Sequence, residues 1–316
     1  MSKLRSLYRI MTQPRSRFLI VKSVALISMV WAVYIYAVPL LKNHTIERSR
    51  KSQPSDDFIV PNIMHFIRYG SNRLSFIEAI CILAALEHQA PEKLFFHTDQ
   101  KDFKGGKYWD IMKTHKLAHV IEIKLLPPAI GLADEMTTGR MGANDSGEKL
   151  RILQAYGGIY VDNDNYIVRS LESFRRYEMT VLMDGQKRIF DHLIIANKNA
   201  KFLNEWLNIY KSEGDPWYYN QGAKKPEDIL KKQPHLAHPL INWMGDTNQV
   251  TEQVYLESSD HWQAYYTIHL LINQQYLIPR NLSHKATYPV VFNETNINDY
   301  DVSIKSMVKR VYPPKT

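Results

Sequence analysis

The sequence predicts an α/β domain built on a mainly parallel central sheet and preceded by one membrane-spanning helix. Three observations predict it. An uncharged apolar run of helix length lies near the N-terminus. Beyond residue 58, short apolar runs of strand length alternate with segments of helical periodicity. The composition is 45% hydrophobic and 23% charged, which is that of a packed globular chain and argues against global disorder.

The apolar run covers residues 23–41 and holds no charge. Its 19 residues span about 28 Å as a helix, close to the ~30 Å hydrocarbon core. Trp31, Tyr34 and Tyr36 sit in its middle and far half, where rings can reach the interface. A cleaved signal peptide has a shorter apolar core and an Ala-x-Ala-like site, and neither is seen. Lys3, Arg5, Arg9, Arg15, Arg17 and Lys22 precede the run with no acidic residue among them. The more basic flank stays cytosolic. The expected order is a basic tail over 1–17, a signal anchor over 18–41, a polar stem over 42–57, and a lumenal domain over 58–316.

The chain carries +8 formal charge, and the tail and the Lys/Arg-rich start of the stem supply all of it. The rest is close to neutral, so a nucleic-acid-binding surface is a poor reading. The single cysteine, Cys81, allows no disulfide within the chain. It falls in a helical apolar pattern with Ile77, Ile80, Ala84 and Ala85, which predicts a small core residue rather than a reactive thiol.

Residues 58–69 hold a first strand, and 74–88 have helical periodicity with Pro91 beyond. Residues 93–97 form a second strand and 108–116 a helix. Residues 119–125 form a third strand that Pro127-Pro128 stops. Residues 150–156 are helical and Gly157-Gly158 ends the helix. Residues 159–161 form the strand that leads into Asp162. Residues 180–183 and 192–196 are further strands, and 201–212 a helix. Residues 215–316 are richer in Pro, Tyr and His and are expected to complete an acceptor side. Aromatic residues Trp217, Tyr218, Tyr219, Trp243, Trp262, Tyr265 and Tyr266 cluster there. They serve either core packing or sugar stacking, since a ring offers an apolar face with a polar tip.

The chemistry concentrates in residues 144–165, NDSGEKLRILQAYGGIYVDNDN. On an extended strand, Asp162 and Asp164 point to one face and can converge on a hard cation. Such a cation stabilises a departing diphosphate. The plain alternative is a polar turn after a strand. An EF-hand loop is excluded, because its sixth position would need Gly and holds Ile167. The sequence contains no dinucleotide Gly-x-Gly-x-x-Gly motif, no P-loop and no Gly-x-Ser-x-Gly elbow.

Helix, Gly157-Gly158, Ile159-Tyr160-Val161, then Asp162-Asn163-Asp164 resembles the core of glycosyltransferase family 32 and its relatives. These include Golgi mannosyltransferases, alpha-galactosyl- and alpha-N-acetylglucosaminyltransferases, and glucosylating clostridial toxins. Val60-Pro61-Asn62-Ile63-Met64-His65 resembles the family's opening strand. The resemblance covers residues 58–275 and is strongest over 150–164. It implies a GT-A-type nucleotide-sugar-binding fold and a metal-dependent hexosyltransferase, retaining and using Mn²⁺. The donor is a nucleotide-sugar, expected to be UDP-linked, and the acceptor a glycan or glycolipid. A type II anchor fits Golgi members.

Carried over by resemblance, Asp164 is a direct metal ligand. Asp162 contacts the ribose or sugar and the metal, and Tyr160 lies near the nucleotide. Ile63 and His65 line the base pocket. His269 approaches the diphosphate or metal. The family's Asp–Arg pair, which grips sugar and phosphate, falls here on Ser146 and Lys149. Asp145 can stand in for the missing Asp, and Asp145 or Ser146 can equally act as a helix N-cap. Lys149 keeps the charge of Arg without its bidentate fork. Two other readings follow: a transferase-fold Golgi protein that binds glycans without turnover, and a metal-dependent hydrolase of nucleotide-sugars. Sequons start at Asn43, Asn144, Asn281 and Asn293, of which Asn281 and Asn293 are the better-placed glycosylation sites.

Overall fold

The computed structural model describes residues 58–126, 141–211, 224–272 and 292–314, without the side chains of 141–146 and 210–211. The tail, anchor and stem lie outside the described residues, as do Trp217, Tyr218, Tyr219 and the sequons at Asn43 and Asn281. Among the described residues no helix is long and apolar enough to cross a membrane.

Among the described residues nine strands form two sheets: β1 (Ile63–Arg68), β2 (Lys93–Thr98), β3 (Ile121–Leu125), β4 (Gly158–Val161), β5 (Asn165–Ile167), β6 (Met179–Met183), β7 (Ile189–Ala196), β8 (His238–Leu240) and β9 (Thr267–His269). The central sheet runs β3-β2-β1-β4-β7-β6-β8, and β5 pairs with β9. In the central sheet, β7 alone runs against its neighbours β4 and β6, and every other pairing is parallel. The expected mainly parallel sheet is therefore found.

Both faces of the sheet are covered, so its middle strands read as unbroken apolar runs rather than alternating ones. On one face, Met64, Phe66, Leu94, Phe96, Ile159 and Val161 pack with α1 (Phe76–His88). Helix α1 is apolar nearly all round, with every residue from Phe76 to Leu86 buried, as a helix inside a core must be. Its start is set by a capping box. The Glu78 amide donates to Ser75 Oγ at 3.3 Å, and the Ser75 amide donates to Glu78 Oε2 at 2.7 Å. Cys81 lies wholly inside this layer, and burial pushes its thiol pKa up. A short helix α2 (Gly106–Met112) sits beside α1 and presents Trp109 to Phe96.

On the other face, Ile67, Tyr160, Val181 and Ile194 pack with α3 (Met141–Tyr156) and α4 (Lys201–Lys211) through Leu150, Leu153, Phe202 and Trp206. Helix α3 starts well before the expected residue 150, so Asp145 and Ser146 lie within it and not at its N-cap. Later elements are α5 (Lys225–Lys232), α6 (Thr247–Val250), which continues as a π turn, and α7 (Ser303–Val311), which packs on α1.

The join between α3 and β4 positions the site. Gly157 has φ 66° and donates its amide to Leu153 O at 2.7 Å, closing the helix with a left-handed residue. Gly158, at φ 117°, lets β4 lie flush against β1. A Cβ there would fall 2.3 Å from Ile63 O and 2.9 Å from His65 Nε2.

Candidate functional site

Strand β4 ends at Val161, at the carboxyl edge of the sheet, where open α/β folds bind ligands. The chain then turns. The Asn165 amide donates to Asp162 O at 3.0 Å, and Asn163 Nδ2 donates to Ile67 O at 2.6 Å, tying the turn to the end of β1. Asp162 and Asp164 thus sit on a turn and not on an extended strand. Two-residue strand periodicity is not what brings them together; the turn closure and its anchoring are. The polar-turn alternative describes the backbone here.

Pairing of β5 with β9 sets Asn165 opposite His269. His269 Nε2 lies 3.1 Å from Asp164 Oδ1, and the Ile272 amide donates to Asp164 Oδ2 at 3.2 Å. Asp162, Asp164 and His269 each offer a ligand atom, all within 4.8 Å of one another. Burial alone would raise the pKa of Asp164, but the hydrogen bond and charge of His269 and the Ile272 amide hold it below its ordinary value. Burial works against a proton on His269, yet the bond and charge of Asp164, then the charge of Asp162, raise its pKa. The two side chains form a buried, hydrogen-bonded carboxylate–imidazole pair in which each favours the charged form of the other.

Lys149, from α3, reaches the same point from the other face. Its Nζ is buried, 3.0 Å from Asp162 Oδ1 and 3.6 Å from Asp191 Oδ2, and lies 5.1 Å from the Tyr160 ring centroid. Tyr160 Oη donates to Asp162 Oδ1 at 2.6 Å. The structure therefore brings together Asp162, Asp164, His269, Lys149 and Tyr160.

It does not bring Ile63 or His65 to the carboxylates. His65 pairs with Tyr160 in the sheet register, and Ile63 opens β1, nearer its amino end. His65 is fully buried, with Nε2 2.8 Å from Gly157 O and Nδ1 3.0 Å from His97 Nε2. With the Nε2–H of His65 given to Gly157, its Nδ1 accepts from the Nε2–H of His97. This links two neutral rings inside the domain. The strand's parity turns His65 inward there. The side chains of Asp145 and Ser146 lie outside the described residues.

Sequence reasoning missed Asp191 and His192. The pairing of β6 with β7 slips between Val181 and Leu182, and the extra β7 residues carry this pair. Such irregularities re-aim side chains beside functional sites. Asp191 turns to Lys149, while His192 stacks on His269 with ring centroids 4.3 Å apart. Burial first, then the charges of His269 and Lys149, push the His192 pKa far down and keep its ring neutral. The one signal in the sequence is a polar pair interrupting an apolar strand.

No family model matches the chain. A curated relative, Glucan organizing enzyme 1 of Cryptococcus neoformans var. grubii, is 23% identical over 225 residues, covering 62% of this chain and 58% of the relative. The match thus spans under two thirds of that protein. Three similar solved structures bear glycosyltransferase names. PaToxG Glycosyltransferase is 13% identical with TM-score 0.41, over 88% of this chain and 96% of its own. The galactosyltransferase LgtC, in complex with donor and acceptor sugar analogs, is 11% identical with TM-score 0.39, over 75% and 100%. GlyE of Streptococcus pneumoniae TIGR4 is 8% identical with TM-score 0.41, over 73% and 61%. At these values the likeness assigns neither fold family nor activity, and the functional reading rests on the site.

Proposed function

We propose that this chain is a metal-dependent glycosyltransferase of GT-A type that moves a hexose from a UDP-linked sugar to a glycan or glycolipid. The observation that carries this reading is the convergence of Asp162, Asp164 and His269 at the carboxyl edge of the central sheet. Two carboxylates and one imidazole suit a borderline-hard divalent cation such as Mn²⁺. Asp162, Asp164 and His269 would hold it, and the cation would supply charge neutralisation of the diphosphate. Lys149 adds positive charge next to Asp162, and Tyr160 orients that carboxylate by its hydrogen bond. In the transfer, the bond from the sugar's anomeric carbon to the diphosphate breaks and the diphosphate keeps the electron pair. A new bond forms to an acceptor hydroxyl, which gives up its proton. Retention of configuration is part of the proposal on the strength of the sequence resemblance.

The run over 18–41 is proposed to anchor the chain in the Golgi membrane with 58–316 in the lumen. A C-terminal epitope that is digested by protease outside intact microsomes would refute this topology.

A second reading is a glycan-binding protein without turnover. The Lys149 ammonium, 3.0 Å from Asp162 Oδ1, favours it, because it neutralises one of the three ligands from within. One assay separates the two. The chain from residue 52 onward is given a panel of UDP- and GDP-sugars, with Mn²⁺ or with chelator, and nucleotide release is followed. Metal-dependent release from one donor, abolished in Asp164→Ala, is the expected result. A folded sample that turns over no donor moves the binding reading to first place.

A further inference from the structure

The tip of the β6–β7 hairpin stands between two concavities of 440 and 470 Å³. Each falls in the ~300–1,000 Å³ range of small-molecule sites. They share Met183, Asp184, Gly185 and Ile241, so they form one groove with a ridge across it. Ile241, on the ridge, is 71% exposed, the highest value among the described large hydrophobic residues.

The nearer half is walled by Trp243 and Phe190, with rings 4.8 Å apart. The indole is held rigidly. Its Nε1 donates to Met183 O at 2.8 Å, and a Cβ on Gly245 would fall 2.2 Å from the ring, so only glycine leaves room for it. A fixed aromatic platform binds without losing side-chain freedom. It stands two ring contacts from the cation ligands, since Trp243 meets His192 at 4.9 Å and His192 stacks on His269. Its rim offers hydrogen-bonding atoms. Asp246 uses only Oδ1, for the amides of Asn248 and Gln249, and Gln249 uses only Nε2, for the Tyr265 hydroxyl.

The farther half is apolar, lined by Leu230, Pro234, Ala237 and Pro239. Charges along the whole groove balance, with Asp184, Glu227 and Asp246 against Lys187, Arg188 and Lys231. A polyanion gains nothing from such a surface. A neutral sugar chain fits it, with ring CH faces on the apolar floor and hydroxyls on the rim.

We infer that this groove binds the acceptor, and that the acceptor is a neutral oligosaccharide of at least two units, its reacting unit on Trp243 and the next beyond Ile241. The term acceptor rests on the transferase reading, whereas the neutral-glycan site stands on the groove.

The test is direct binding, without turnover. The full chain in detergent is titrated with neutral gluco-, manno-, galacto- and xylo-oligosaccharides of one to six units. A sulfated disaccharide serves as the anionic control, and UDP with Mn²⁺ is titrated separately. Expected is binding to one neutral series, rising at least tenfold from one unit to two and falling at least tenfold in Trp243→Ala and Ile241→Asp. Ile241→Asp changes an exposed side chain, so an unaltered melting temperature shows that it folds. No neutral oligosaccharide binding, binding untouched by Ile241→Asp, or preference for the sulfated sugar overturns the inference. If UDP–Mn²⁺ still binds in those cases, the transferase reading survives. Oligosaccharide binding at the groove without UDP binding keeps the glycan site and removes the donor reading.

Discussion

Asp162 Oδ1 is contacted by both the Lys149 ammonium and the Tyr160 hydroxyl, and Asp191 lies within 3.6 Å of the same ammonium. Lys149 therefore ties α3 to the end of β4 and to β7 by its ion pairs. Removing one partner of a buried ion pair leaves the other uncompensated, at a cost of about 3–5 kcal/mol. Lys149→Met is expected to lower stability by about 3 kcal/mol, at the low end because both carboxylates are partly solvated. Saturating Mn²⁺ is expected to recover part of that loss, since a cation on Asp162 replaces the missing charge. Urea unfolding with and without the metal reads this out. Equal losses in both conditions would mean that ammonium and cation do not share that carboxylate.

The α3–β4 junction and the start of α1 show how local geometry delivers the site. Gly158→Ala would force a Cβ to 2.3 Å from the Ile63 carbonyl on a neighbouring strand, and backbone there cannot yield cheaply. The expected loss is more than about 3 kcal/mol, among the large single-residue effects that backbone strain produces. Asp162 follows four residues later, so a stable remnant should also bind Mn²⁺ more weakly. Chemical denaturation and metal titration of Gly158→Ala check both, and an unchanged midpoint would disprove the close approach. At the capping box, Ser75→Ala removes one acceptor of a helix N-terminus and is expected to cost about 1 kcal/mol. Its unfolding midpoint should fall, and an unchanged midpoint would show that the cap does not hold the helix start.

The whole domain should be acid-sensitive through the linked rings inside it. Burial, then the charges of His65 and Lys124, lower the His97 pKa to about 3, and burial lowers that of His65 to about 4, against 6.5 ordinarily. Above pH ~6.5 neither folded nor unfolded rings carry a proton, and their contribution to stability is fully present. As pH falls below that value the unfolded chain binds protons that the folded chain refuses, so stability declines toward pH 4. Between pH 6.5 and 5 each ring is expected to cost about 2 kcal/mol. Urea midpoints over this range measure the slope, and His97→Gln should reduce it by about one proton. A variant with the wild-type slope would show that the pair does not titrate as described.

How much of the domain could be read in advance follows from the range of the interactions involved. The strands of the parallel core and the helices between them were legible, because burial on both faces leaves apolar runs that a linear pattern records. Gly157-Gly158 were legible for a related reason: a left-handed helix end and a close strand approach demand glycine wherever they occur. Asp162 and Asp164 were picked by their spacing and by resemblance, but a turn and not strand periodicity brings them together. Strand parity and the slot beside Gly157 turn His65 into the core, a placement its local sequence does not record. Asp191 and His192 could not be found, because a slip in the pairing of β6 with β7, and not any local pattern, aims one at Lys149 and the other at His269. The chain order therefore determined the strands and helices of the first part of the domain, the glycine junction and the spacing of the two carboxylates. His269 was named in advance by family resemblance alone; its contact with Asp164, more than a hundred residues away, was decided by the tertiary structure, because it depends on β5 pairing with β9, and no local pattern records which distant strand a strand will meet.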